Sequence, residues 1–301
     1  MASQSVTTNQ QGKPAKRRNH TVPKALLKRW LTKEGEAVGH WVLDCKTATI
    51  GFRPGTEASF AISEFRYVPV RAPQGQPAYR DETVEDWFSR GENDLALVTD
   101  RLGKKQSLAG ASDAIGGFIQ AAVLLGFRSA YEYELFDQAL KHADPSLTED
   151  EVTRRVVDHF KTTYAAKLRQ FSNWDYQIVP SLDQPLLICD RPMFDMTIRG
   201  ESQEMLVVPL TPSVMLVGRA PSDIHRKSLS LTVSDRTSPA IADLLNRFTV
   251  ERAREFIVGL PAQLKALQPS FAAQAFSERK ALDRFVFEDL ASRVRVPVSD
   301  L

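Results

Sequence analysis

Trp174-Asp175-Tyr176-Gln177-Ile178-Val179, Leu186-Leu187-Ile188-Cys189, Met205-Leu206-Val207-Val208 and Val214-Met215-Leu216-Val217 are the runs on which the fold is decided. Each is short, apolar and rich in β-branched residues, and Pro, Asp and Gly punctuate the spaces between them. No interval is long enough for a crossover helix with strand pairing on both sides, so the strands are expected to be largely antiparallel. Helical patterns bracket them. Upstream, Thr148-Glu149-Asp150-Glu151 has the spacing of a capping box, followed at helical period by Val152, Val156, Phe160, Tyr164 and Leu168. Residues 111–127 carry one charge, Asp113, which predicts a helix buried on most sides. Asp81 is placed to cap a helix through Val84, Trp87, Phe88, Leu95 and Leu97, with Gly91 as a point of bending. Downstream, helical period returns over 240–258 and near 278–293. Strands set between helices without βαβ alternation predict an α+β fold. It should be a central helical bundle packed with a mostly antiparallel sheet formed largely by the C-terminal half.

Toward the N-terminus, His40-Trp41-Val42-Leu43-Asp44-Cys45 and Thr47-Ala48-Thr49-Ile50-Gly51-Phe52 alternate as a hairpin does. Residues 53–80 read mostly as loop, with a strand at Glu64-Phe65-Arg66-Tyr67-Val68. Residues 1–18, rich in Gln, Ser, Thr and Lys, are expected to be a disordered basic tail. A single α+β domain over 19–301 is expected to follow, any subdomain boundary falling near 144–174. Pro23 suits the first turn of a short helix whose apolar side is Leu26, Leu27 and Trp30, with Lys24, Lys28 and Arg29 opposite.

Bulk properties exclude several classes. With 301 residues, 43% of them hydrophobic, the chain can bury a substantial core. No apolar run approaches the ~18 residues needed to cross a bilayer, and the first residues lack the apolar segment of a secretory signal. Two cysteines, Cys45 and Cys189, rule out a disulfide framework or a cysteine-rich zinc site. These features predict a cytoplasmic protein without membrane attachment. The net charge of +2 hides an asymmetry: residues 1–33 hold eight basic residues and no acid, and the rest carries 31 basic against 37 acidic residues. A basic arm on a mildly acidic body points to an anionic partner, nucleic acid first, or else to a solubilising tail.

No P-loop, HExxH, GxSxG or GxGxxG element is present, which removes the common nucleotide-hydrolase, zinc-protease, esterase and dinucleotide readings. Candidate chemistry therefore rests on constellations. His20 can exchange a proton near neutral pH, with Lys24 and Arg29 available to hold an anion; its imidazole can equally serve only to tie down a turn. Glu85 and Glu92 lie seven residues apart and share a helix face, so with Asp190 they offer carboxylates for Mg²⁺ or Mn²⁺, or else form a solvated acidic face. Asp190 ends a buried-type strand, as a site residue or as a turn cap. Gln120 and Arg128 flank the end of the apolar helix, Arg128 as an anion clamp or a buried ion-pair partner.

The order of these elements resembles a family of unknown function, DUF4238. The likeness is carried by His20-Thr21-Val22-Pro23 with its Leu-rich continuation, Trp41-Val42-Leu43-Asp44, the Glu85/Glu92 pair, and Phe118-Ile119-Gln120 through Arg128. It continues in Cys189-Asp190-Arg191-Pro192, with Cys where Ser is usual, in Pro209-Leu210-Thr211-Pro212, and in Asn246. The resemblance implies no established activity. It implies that His20, the acidic helix and Asp190 share one pocket, and Cys189 in the Ser position argues against a nucleophile there.

The leading expectation is a nuclease-like enzyme, a toxin or antiviral defence effector cleaving phosphodiesters. His20, Glu85, Glu92 and Asp190 would be catalytic, and Lys24, Arg29, Arg128 and Gln120 would bind substrate. The alternatives are a non-catalytic module binding nucleic acid or protein, and an enzyme acting on a small nucleotide.

Overall fold

The structure, a computed structural model, describes residues 6–15, 18–64, 67–72, 74–75, 77–126, 128–181, 184–197, 204–221 and 230–273. The N-terminal part comprises β1 (Arg18–His20), α1 (Lys24–Leu27) continued by a 3-10 turn to Trp30, β2 (Thr32–Glu34), β3 (Ala37–Asp44), β4 (Thr49–Pro54), β5 (Ile62–Glu64), β6 (Val70–Arg71) and β7 (Tyr79–Arg80). Four helices follow: α2 (Thr83–Gly103), α3 (Ile115–Leu124), α4 (Ala130–Ala143) and α5 (Glu149–Phe171). The C-terminal part holds β8 (Asp175–Pro180), β9 (Ile188–Cys189), β10 (Phe194–Thr197), β11 (Glu204–Thr211), β12 (Val214–Arg219), β13 (Ser230–Val233), α6 (Pro239–Arg252), β14 (Phe256–Val258) and α7 (Pro261–Ala273). The fold is α+β. Among the described residues no helix is long and apolar enough to cross a membrane.

Local signals acted as expected where their partners are close in sequence. The hairpin β3–β4 pairs Trp41 with Phe52 and Asp44 with Thr49, and the Asp44 carboxylate closes the turn by accepting from the amides of Lys46 and Thr47, both at 2.9 Å. At the start of α5 the Thr148 hydroxyl accepts from the Glu151 amide at 3.3 Å, and the Glu151 carboxylate accepts from the Thr148 amide at 2.9 Å. Each satisfies a helix-end group that the helix itself cannot. Asp81 accepts from the Thr83 amide at 3.0 Å at the start of α2.

The strands of the C-terminal half form at their expected places but divide between two sheets. One has the order β10-β11-β12-β8-β13, antiparallel except for the parallel β13–β8 pair. The other has the order β2-β3-β14-β9, with β4 also on β3. The expected single sheet is therefore two, and the N-terminal hairpin builds much of the second. The first sheet is covered on both faces. Ile178, Leu206, Val208 and Leu216 enter a core with Leu95, Phe118 and Ile119 of the helices, whereas Val179, Val207, Met215 and Val217 enter another with Leu245 of α6 and Phe271 of α7. Strands buried on both faces are apolar at successive positions, which is why these runs lack alternation.

Three further differences have local causes. Helical period over 240–258 stops at Arg252, because Phe256, Ile257 and Val258 are drawn into β14 between β3 and β9, where all three are buried. Gly91 does not bend α2. It lets α3 approach, since a Cβ there would lie 2.8 Å from the Ala121 Cβ and 2.9 Å from the Gly117 carbonyl oxygen. Residues 6–15 of the expected disordered tail are anchored: Arg80 donates from its amide to the Thr8 carbonyl at 2.7 Å and from Nε to the Val6 carbonyl at 2.9 Å. The helix expected near 278–293 lies outside the described residues.

Candidate functional site

His20 is the last residue of β1 and pairs with Ile62 of β5. Its ring is half-buried, and Nε2 lies 3.1 Å from the Glu57 carbonyl oxygen. A carbonyl only accepts, so Nε2 carries the proton and, in the neutral ring, Nδ1 holds the basic lone pair. Burial lowers the His20 pKa below its ordinary value, and the charges of Arg128 and Lys24 push the same way. The Glu57 hydrogen bond and Glu92 oppose this without reversing it. The imidazole is accordingly neutral at pH 7.

Arg128 organises the surroundings. It follows α3, is 4% exposed, and lies with its guanidinium 4.8 Å from the centre of the Phe88 ring. Its Nε donates to the His20 carbonyl at 2.6 Å, and Nη1 pairs with Glu92. Tyr67 donates its hydroxyl to the Arg128 carbonyl at 2.6 Å. A planar guanidinium can bond to two partners while stacking on a ring, which an ammonium cannot do. Of the two sequence readings, the buried ion pair is the one the geometry shows. Phe88 and Glu92 reach Arg128 because both sit on the same face of α2.

Lys24, on α1, pairs with Glu57, the side chains being 30% and 65% exposed. That pair is open to water and easily exchanged for another anion. His20, Lys24, Glu57, Glu92 and Arg128 thus form one cluster, with contributions from β1, α1, the segment before β5, α2 and the α3–α4 connection.

Other expected members lie elsewhere or are otherwise engaged. Glu85 is 4% exposed on the buried side of α2, beside Val84 and Phe88, so it is not part of a solvated acidic face. Arg29 pairs with Asp100 at 3.1 Å, eight residues or about 12 Å along α2 from Glu92. Gln120 is exposed on α3. Asp190 is fully buried and accepts through Oδ1 from the amides of Arg254, Glu255 and Phe256 at 3.0, 3.1 and 3.4 Å. Burial raises its pKa against the pull of those amides and of Arg191. Its observed role is to hold the backbone entering β14. Among the described residues no three His, Cys, Asp or Glu side chains come close enough together to hold a metal ion. The expected set of Glu85, Glu92 and Asp190 is therefore not assembled as metal ligands.

Two members escaped sequence reasoning. Glu57 had no local signal, because its partners are 33 and 37 residues away. Asn19 is 1% exposed, and neither polar atom of its side chain has a hydrogen-bond partner among the described residues. Its place beside His20 on a strand was the available hint, since neighbours on a strand face opposite ways.

A cleft of about 520 Å³ opens beside β5. Phe60, Ile62 and Phe256 are apolar parts of its wall, and Asp44, Lys46, Arg53, Glu134 and Glu255 line it with mixed charge. Ile62 links it to His20 across the β1–β5 pair.

No curated protein and no solved structure matches the chain. A family model described as "Protein of unknown function (DUF4238)" matches residues 18–263, more than half of the chain, and the chain belongs to that family.

Proposed function

We propose that this member of the DUF4238 family hydrolyses phosphodiester bonds, with single-stranded or duplex nucleic acid as the substrate class and His20 as general base. The observation that carries the reading is the neutral imidazole of His20, fixed through Nε2 to the Glu57 carbonyl, with two cations near enough to lower its pKa. A base that is unprotonated at neutral pH can take a proton from an attacking water or hydroxyl. Lys24 would exchange Glu57 for a phosphate oxygen, and the eight basic residues of the first 33 would supply long-range attraction to a polyanion. Arg128 and Glu92 act as positioning residues, because Arg128 holds the strand carrying His20. The reaction is written without a metal, since the carboxylates expected to bind one do not converge.

The test is cleavage of a mixed RNA and DNA panel by wild type and by folded His20→Ala, with Mg²⁺, Mn²⁺ or EDTA present. Cleavage by wild type that survives EDTA, rises with pH through a value below about 6.5 and is lost in His20→Ala is the expected result. Equal cleavage by both proteins, or none by either, rejects the assignment.

A further inference from the structure

We propose that a second cavity, bounded by α4, α5, the segment after β9 and the end of α6, binds a nucleoside monophosphate. The cavity encloses about 280 Å³, close to the lower end of the range for small-molecule sites. One wall is flat and aromatic. The rings of Phe136 and His159 lie 4.1 Å apart between centres at 38°, and Phe160 meets Phe136 edge-on at 5.7 Å. Such a surface suits a planar heterocycle, which stacks without needing a unique orientation. Thr163 hydrogen-bonds to His159 Nε2 at 3.1 Å and gives the wall a polar edge against which the heteroatoms of a base can register.

The other lining is cationic. Lys167 comes from α5, Arg191 from the residue after Asp190, and Arg252 from the last turn of α6. Glu132, paired with Arg191, is the one acidic residue in this lining. Lys167 and Arg252 each lie 5.4 Å from an aromatic ring centre, of Phe171 and Phe194 respectively, which fixes where they stand. Three cations brought together from three distant parts of the chain are not a by-product of one helix face. Their convergence raises a positive potential that a phosphate relieves, and arginine presents the forked donors that phosphate oxygens accept. A ring surface beside a phosphate-binding lining, in a volume of this size, is the chemistry of a mononucleotide. This inference does not rest on phosphodiester cleavage at His20. The two regions adjoin, however, since Leu125 and Gly126 line the cavity and Arg128 follows closely.

Calorimetric titration of the full-length protein with AMP, GMP, CMP, UMP and inorganic phosphate tests it, using wild type, His20→Ala, Lys167→Gln and Arg252→Gln, each checked for folding by circular dichroism. At least one nucleoside monophosphate should bind wild type and His20→Ala alike. Lys167→Gln and Arg252→Gln should each weaken binding by about tenfold or more, and phosphate alone should bind at least about tenfold more weakly than the nucleotide. No binding by any of the four nucleotides overturns the proposal. So does unchanged affinity in both charge variants, or phosphate binding as tightly as the nucleotide. Because His20→Ala is a binding-competent arm, failure of the cleavage reading and failure of this one are separately visible.

Discussion

Arg128 donates from Nε to the carbonyl of His20 at 2.6 Å, joining residues 108 positions apart and fixing the strand that presents the imidazole. The same guanidinium pairs with Glu92 and covers Phe88, so three elements meet on one side chain. Arg128→Ala should destabilise the fold by about 2 kcal/mol, below the 3–5 typical when a fully buried pair is broken, because Glu92 retains access to water. Arg128→Lys should recover less than half of that loss, since an ammonium lacks the fork and the flat stacking surface. Urea unfolding at pH 7 measures both, and an Arg128→Ala loss below about 0.5 kcal/mol would show that Arg128 does not hold this junction.

Histidine burial sets a pH dependence. Burial lowers the pKa values of His20, His40 and His159 in the folded protein, while in the unfolded chain histidine titrates near 6.5. The unfolded state therefore binds more protons at mildly acidic pH. The stability tied to these groups is complete above about 6.5 and declines as pH falls from there through the folded values. His40 should contribute most. It has no exposed surface, donates from Nε2 to the Leu27 carbonyl at 3.1 Å, and keeps Nδ1 buried without a partner among the described residues, so a second proton would have no acceptor. Melting temperature should drop between pH 7 and pH 5, and drop less in His40→Gln, which keeps a donor for Leu27. Parallel profiles for the two proteins would mean that His40 is not the group responsible.

Asp190 distinguishes a structural carboxylate from a catalytic one. Its Oδ1 is the shared acceptor for three consecutive amides, so Asp190→Ala strands buried donors and should cost about 2–3 kcal/mol. Asp190→Asn keeps an oxygen and should cost less. Denaturation of the two variants, together with cleavage assays on whichever remains folded, checks this. A folded Asp190→Asn that loses all cleavage while keeping wild-type stability would return Asp190 to the catalytic set.

Gly91→Ala opposes two effects of known sign. Alanine favours a helix interior by about 1 kcal/mol over glycine. The added Cβ, however, meets the Gly117 carbonyl oxygen at 2.9 Å, a backbone atom that cannot turn aside. Overpacking of this kind costs about 1–3 kcal/mol, so the net change should be destabilising by up to about 2 kcal/mol. A variant more stable than wild type in urea would show that α2 and α3 separate freely.

What the sequence disclosed divides by the range of the interaction. The β3–β4 turn and the Thr148 capping box are settled within five residues, and both were readable. The face of each strand in the C-terminal half was not, because Met205 through Leu210 is buried on both sides and leaves no alternation to read. The end of α6 was misplaced for a related reason: Phe256-Ile257-Val258 fits helical and strand patterns equally, and its partners on β3 lie more than 200 residues away. At the candidate site, His20 and Lys24 stood out as a proton acceptor and a cation one helical turn apart. Glu57 and Tyr67 became partners only through the fold. Asp190 was noticed for a sound reason, an acid at a strand end, but complete burial turned it toward backbone amides.

The insertion of β14 between β3 and β9 also has a consequence for synthesis. Leu43 takes Ile257 as its neighbour, and at about 5–20 residues per second the ribosome needs on the order of 10–40 s to make the intervening chain. For that interval the hairpin leaves the ribosome with Val42, Leu43 and Asp44 unmatched along one border, open to capture by any passing extended strand. A nascent chain stalled before residue 256 would keep that border permanently available, so translation that halts within α6 is the point at which this protein is most exposed to co-aggregation.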